Sequence, residues 1–253
     1  MEKNLMNNIG LIAAMPLESD ALLRRLQGWQ RVSFGAFNGA SFDLPGQACL
    51  LVTSGMGARR AGEATRLLLK ACAPRLLISF GIAGAVEADL QIGDVVAAEA
   101  VCRLESGACG PLRPLAALPA AAREAATGAL ASRGARLVAG TAITTAGSQL
   151  TVGQAGGLAH PVLEMETDGI AQAAAEGGVP LFALRAISDG PRAPIPINLG
   201  EMMDEDANLK TGRLLMAVLR HPGIVFQSGR MMRNSRLAAD NAAIAVAAIL
   251  GKL

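Results

Sequence analysis

The sequence has no tyrosine, one tryptophan and six phenylalanines, so aromatic residues make up only 3% of its 253 positions. With so few rings and an apolar content that is mostly Ala, Leu, Val and Ile, a β-sandwich is disfavoured. Buried parallel strands covered by Ala-rich helices are expected instead. Charge is also scarce. Only 17% of residues are charged and the formal net charge is +2, and no Arg/Lys run is interleaved with aromatics. A nucleic acid polymer is therefore not an expected partner. The four cysteines (Cys49, Cys72, Cys102 and Cys109) form no CxxC pair, and they read as reduced thiols filling the core and one loop. The two histidines, His160 and His221, are far apart and lack ligand-type neighbours, so no metal site is expected. Residues Met1 to Asn8 carry charge and amides rather than a signal-type apolar segment. No apolar run is long enough to span a bilayer. These absences together point to the cytoplasm.

Half the chain (51%) is apolar, which excludes general disorder. The length suits one large α/β domain over residues 1–253, with a helical C-terminal extension from about 199 to 253. Ile9–Met15 reads as a buried strand, and Pro16 opens an amphipathic helix with acids early. Ser33–Leu44 reads as a hairpin turning at Asn38-Gly39. Ala48–Thr53 is a strand closed by Ser54–Gly57, and Ala61–Ala73 is a helix stopped by Pro74. Leu76–Phe80 runs as a strand into Gly81–Gly84, and Val95–Val101 follows as another. Residues 109–120 read as loop, Ala121–Arg133 as helix, and Arg136–Thr145 and Val162–Met165 as strands. A helix from Asp168 ends at Gly177-Gly178, and Leu181–Ile187 is a central strand. Such alternation predicts a three-layer α/β fold with a mostly parallel, mixed central sheet flanked by helices.

Ligands of such sheets sit beyond the carboxyl ends of the strands, and polar residues collect at those ends here. Glu18 follows the first strand, Ser54 the Ala48–Thr53 strand, and Gly81–Gly84 the Leu76–Phe80 strand. Glu164 and Glu166 close Val162–Met165, and Ser188 and Asp189 follow Leu181–Ile187. Each has an ordinary reading too. Glu18 suits a helix start, one of Glu164 and Glu166 suits a solvated strand end, and Asp189 suits a cap or turn. The functional readings are a ribose-binding carboxylate at Glu166 and a general acid at Asp189, its pKa raised by burial. Arg185, inside an apolar run, needs a carboxylate partner if buried.

The blocks IGLIAAMPLE, SGMGARRAG, ISFGIAGAVEADLQIGDVV, LEMETDGIA and VPLFALRAISD resemble, in order and spacing over residues 9–189, the nucleoside phosphorylase/nucleosidase superfamily. The resemblance is strongest to its methylthioadenosine/adenosylhomocysteine nucleosidase branch. It implies cleavage of the N-glycosidic bond of a purine nucleoside, with adenine as base and a modified 5′ group. Asp189 would protonate the departing base at N7 and Ser188 would orient it. Glu166 would hold the ribose hydroxyls, Met165 would pack on the sugar, and Glu18 would activate water. Glu164, Gly84, Ala83, Ile82 and Ser54 complete the expected substrate-binding set. No cofactor is implied, apart from phosphate as co-substrate if the enzyme is a phosphorylase.

The sequence departs from the family in several places. Ile82 stands where many members have Ser or Thr, and Thr141–Ser148 has no counterpart of the base-stacking Phe. Ser79 stands where phosphorylases carry a phosphate-binding Arg, which favours water as nucleophile, although Arg59 and Arg60 keep phosphate open. A non-catalytic nucleoside-binding protein is the reading from another class. The tail and the GIAGA block also resemble the hopanoid-associated phosphorylases, whose substrate is an adenosine joined to a lipid. Arg230, Arg233 and Arg236 share one helical face, which is solvated by default. On that resemblance the face would give peripheral membrane contact. A homodimer is likewise implied, with the Gly110–Pro119 loop capping the neighbouring site.

Overall fold

The computed structural model describes residues 8–105, 107–146, 155–192 and 223–253, the last segment with side chains from Gly229 onward. In chain order the described elements are β1 (Asn8–Ala13), α1 (Pro16–Leu23), β2 (Gln30–Phe34), β3 (Phe37–Leu44), β4 (Gln47–Thr53), α2 (Ala58–Cys72), β5 (Leu76–Ala85) and β6 (Val95–Glu105). Then follow β7 (Ala108–Cys109), β8 (Arg113–Pro114), α3 (Ala120–Ala131), β9 (Leu137–Thr144), β10 (Pro161–Glu164), α4 (Thr167–Glu176), β11 (Leu181–Asp189) and α5 (Gly223–Leu250).

The long strands lie in the order β10-β9-β6-β11-β5-β1-β4-β3-β2. β1 runs parallel to β4 and β5, β11 parallel to β5, and β6 parallel to β9. β11 pairs antiparallel with β6, and the β2–β3–β4 meander is antiparallel. β10 also pairs back onto the far end of β5, through Val162 with Ala85 and Leu163 with Gly84, so the sheet closes on itself there.

Strands buried on both faces read as continuous apolar runs, and β1, β5 and β11 do so. Their alternate residues feed two cores. Ile9, Leu11, Ile78, Phe80 and Leu184 pack with α1, α3 and α5. Ile12, Val52, Leu77 and Ala183 pack with α2 and α4. The expected three-layer, mixed α/β architecture is the observed one. Cys49, Cys72 and Cys102 are buried free thiols, and Cys109 is partly exposed. Among the described residues no helix is long and apolar enough to cross a membrane. Arg230, Arg233 and Arg236 are all exposed on α5. Of the expected helical C-terminal extension, residues 199–222 lie outside the described residues.

Three boundaries differ from expectation. The hairpin turns at Gly35-Ala36, where Gly35 takes φ +59, while Asn38 and Gly39 lie inside β3 opposite Ser33 and Val32. Gly81–Gly84 is not a loop after a strand but the second half of β5, hydrogen-bonded to β11 on one side and in part to β10 on the other. Asp189 is the last residue of β11 rather than a cap, and a bulge at Ser188 re-aims it.

Helices α2 and α4 cross so closely that a Cβ on Gly169 would lie 1.9 Å from the Ala58 carbonyl oxygen. Replacing a helical glycine by alanine ordinarily gains up to about 1 kcal/mol of helix propensity. Here the contact reverses the sign. Gly169→Ala is expected to destabilise the protein by about 1–3 kcal/mol, read as a lower urea midpoint. A raised midpoint would show that the crossing is looser than described.

Candidate active site

Glu18 stands at the third position of α1 and turns back on the helix start. Its Oε2 accepts the N–H groups of Ala14 (2.9 Å) and Met15 (2.8 Å). Its Oε1 reaches across to β5 and accepts the Ile82 N–H at 2.9 Å. Glu18 thus both starts the helix and reaches across to β5. Only glycine at position 81 admits the carboxylate, because a Cβ there would sit 2.5 Å from Glu18 Oε1. The side chain is buried, and burial raises its pKa against the pull of three backbone donors and Arg185.

Three residues further along β5 the arrangement repeats. A Cβ on Gly84 would lie 2.7 Å from Asp189 Oδ2. Ser188 Oγ donates to Asp189 Oδ1 at 2.6 Å and lies 3.3 Å from the Ala83 carbonyl oxygen. Burial raises the Asp189 pKa, and the Ser188 hydrogen bond only partly opposes it. Glu18 and Asp189 thus rest on one strand at points roughly 10 Å apart, from a rise of about 3.3 Å per residue.

Neither Glu164 nor Glu166 is a solvated strand end; both are buried. Glu164 is engaged internally. Its Oε2 accepts the N–H groups of Glu166 (3.0 Å) and Thr167 (2.8 Å), Thr167 Oγ1 (2.6 Å), and Arg185 through Nε (3.2 Å) and Nη2 (3.1 Å). Its Oε1 accepts a short bond from Thr144 Oγ1. Arg185 is the partner its burial demands, and that guanidinium also donates to Ser79 Oγ at 2.9 Å and Thr167 Oγ1 at 2.7 Å. These donors hold Glu164 below the ordinary carboxylate range despite its burial.

Glu166 has weaker support. Its Oε1 accepts the Gly57 N–H at 2.8 Å, and its Oε2 accepts the Met165 N–H at 3.3 Å. Burial, and next the Glu164 carboxylate, push it up to about 8. Glu18, Glu166, Ser79, Gly81, Ile82 and Arg185 all line one cavity of ≈ 10 Å³, about the room one water needs.

The other expected residues fall nearby. Met165 is partly exposed beside Glu166, and Ile82 and Ala83 contribute backbone groups. Ser54 is buried, and its hydroxyl is spent on the Gly55 carbonyl oxygen at 2.8 Å. Sequence reasoning missed Thr144 and Thr167, which orient Glu164, and Gly57, which holds Glu166. Buried threonines next to strand-end acids were the available signal. Among the described residues no group of three or more potential metal ligands is clustered.

Buried acids gathered at the carboxyl edge of a three-layer α/β sheet are an arrangement suited to acid–base chemistry. The chain belongs to the phosphorylase superfamily, whose pattern matches residues 8–220. It is 36% identical over 89 residues to a 5′-methylthioadenosine/S-adenosylhomocysteine nucleosidase of Pseudoalteromonas translucida (strain TAC 125), a stretch covering 35% of this chain and 38% of that protein. Little more than a third of that relative's length is therefore matched. Among solved structures, the nucleosidase of the same name from Neisseria meningitidis, in complex with methylthio-immucillin-A, superposes with a TM-score of 0.70 at 23% identity. That match covers 98% of this chain and 100% of the other. Futalosine hydrolase of Helicobacter pylori gives 0.71 at 16% identity, over 99% and 100%. At these identities the likeness shows a shared fold.

A carboxyl whose pKa rises on folding stabilises the fold fully below the ordinary glutamate range. That contribution is lost as the pH climbs through the folded value, for Glu166 about 8. Glutamine is neutral at every pH. Glu166→Gln is therefore expected to melt near the wild type at pH 5 and above it at pH 9. An equal offset at both values would contradict the raised pKa.

Proposed function

We propose that the protein hydrolyses the N-glycosidic bond of an adenine nucleoside carrying a modified 5′ group, releasing the free base. The observation that carries this is the seating of Glu18 and Asp189 three residues apart on β5, with Glu166 lining the same cavity as Glu18.

Asp189, kept protonated by burial, donates to N7 of the purine. The C1′–N9 electron pair then leaves with a neutral base instead of an anion. Positive charge grows on the ribose, whose hydroxyls hydrogen-bond to Glu166. Glu18 takes a proton from water as its oxygen bonds to C1′. The products are free base and a 5′-modified ribose, with one water consumed. The raised pKa values of Glu18 and Asp189 place both limbs of the pH profile above the ordinary carboxylate range.

Water is favoured over phosphate by charge. A phosphate dianion needs fixed donors and positive charge. Glu18, Glu164 and Glu166 are three buried acids here, of which Glu164 is held ionised, and among the described residues the buried guanidinium in contact with it, Arg185, is already committed to that carboxylate. Ser79, at the position where the phosphorylases carry an arginine, adds no charge. Arg59 is paired with Glu63 at 2.9 Å on the surface.

Adenine release from a panel of nucleosides, with and without phosphate, tests the reading. Turnover is expected in phosphate-free buffer. Asp189→Asn should lower it by about 10²–10⁴-fold while calorimetry still detects nucleoside binding. An absolute requirement for phosphate with ribose 1-phosphate as product, or undiminished turnover in Asp189→Asn, would overturn the proposal.

A further inference from the structure

Two of the four cysteines fall on one hairpin, away from the acids. β6 and β7 pair antiparallel, with Leu104 opposite Cys109 and Glu105 opposite Ala108, and the Gly110 N–H donates to the Arg103 carbonyl oxygen at 2.8 Å. Side chains two apart on a strand share a face. Cys102 therefore lies on the face of Leu104 and Cys109, as the diagonal neighbour of Cys109. Diagonal neighbours stand about 7–8 Å apart, with their Cβ atoms somewhat closer. Both cysteines belong to one apolar cluster with Val86, Leu104, Ile143 and Leu158, and their thiols hydrogen-bond to each other. Neither lines the cavity that holds Glu18 and Glu166.

Access divides the pair. Cys102 is buried, whereas Cys109 is partly exposed and lines a cavity of ≈ 470 Å³ with Gly107, Gly110, Leu112 and Leu158. That volume lies within the range of small-molecule sites. Burial, and next the Cys109 thiol, push Cys102 up to about 12, so it keeps its proton near neutral pH and is the poorer first nucleophile. The Cα atoms of a disulfide are usually less than about 7 Å apart, so closing this pair draws β7 slightly toward Cys102. β7 is two residues long and pairs, among the described residues, with β6 alone. It can make that shift without disturbing another strand.

We propose that Cys109 and Cys102 form a thiol–disulfide exchange site, which meets a small-molecule disulfide at Cys109 and closes reversibly to a Cys102–Cys109 cystine. Cys109 Sγ, as its thiolate, attacks one sulfur of the incoming disulfide. The S–S bond of that molecule breaks, one small thiol leaves with a proton, and a mixed disulfide remains on Cys109. Cys102 then gives its proton to solvent and attacks the Cys109 sulfur, releasing the second small thiol. Two protein thiols are oxidised and one disulfide is reduced to two thiols, with no other reactant.

The probe is oxidised glutathione, added in excess to the native protein, which is then alkylated and digested with trypsin without reduction. Cleavage after Arg103 separates the two thiols into fragments 76–103 and 104–123, each carrying a single cysteine. The two fragments are expected to stay joined, free thiols to fall from four to two, and dithiothreitol to restore all four. Cys102→Ser should stop with glutathione held on Cys109, and Cys109→Ser should leave Cys102 unmodified. Circular dichroism verifies that both variants fold, and the wild-type map decides the matter if either does not. A wild type that keeps its four thiols overturns the proposal. So does one that retains glutathione on Cys109 without joining the fragments, or that crosslinks two chains through Cys109 instead.

Discussion

Arg185 rises from the middle of β11 into a region that also holds the carboxylates of Glu18, Glu164 and Glu166, and the cleft is organised by how that one positive charge is divided. An unpaired buried charge is costly. The guanidinium meets the cost by binding Glu164 directly, with Thr167 and Ser79 taking its remaining donors. Glu164 is consequently ionised and spent. Glu166, two residues on, feels that negative charge without an equal share of the arginine, and its proton affinity climbs. Two acids only two positions apart in the sequence thereby acquire opposite characters, one fixed as a counterion and one able to change its charge near neutral pH. Perturbed pairs of this kind mark functional sites as a class.

The second constraint is space. A sheet strand normally presents a Cβ at every position, which would bar a carboxylate from lying against the backbone. β5 omits the Cβ at Gly81 and Gly84, and a different acid fills each gap. One comes from the helix after β1 and the other from the end of β11. The strand therefore sets the distance between the two acids, while its backbone N–H at Ile82 holds the first of them. Behind this frame the close α2–α4 crossing fixes the starts of both helices, and with them the Gly57 N–H that holds Glu166.

Much of this was legible in the sequence. Apolar runs punctuated by Gly, Pro and acids gave the strand–helix alternation, and the polar residues at strand ends did gather at one edge. The need of a buried Arg185 for a carboxylate was also readable. Which carboxylate it takes was not, because Glu164 and Glu166 differ only in the threonines and backbone donors that tertiary structure brings to them. The Gly81–Gly84 segment looked like a loop since glycine is a poor strand former, and only the incoming side chains explain its place in a strand. The Asn38-Gly39 pair is a strong turn signal in isolation, yet the turn at Gly35-Ala36 prevails.

Site-resolved carbon-13 NMR titration of the glutamate carboxyls reads the division of charge around Arg185 most directly. Glu164 should stay ionised down through the ordinary carboxylate range, while Glu166 should take up its proton near pH 8. Glu166 titrating like a solvent-exposed glutamate, or Glu164 protonating above it, would contradict the account.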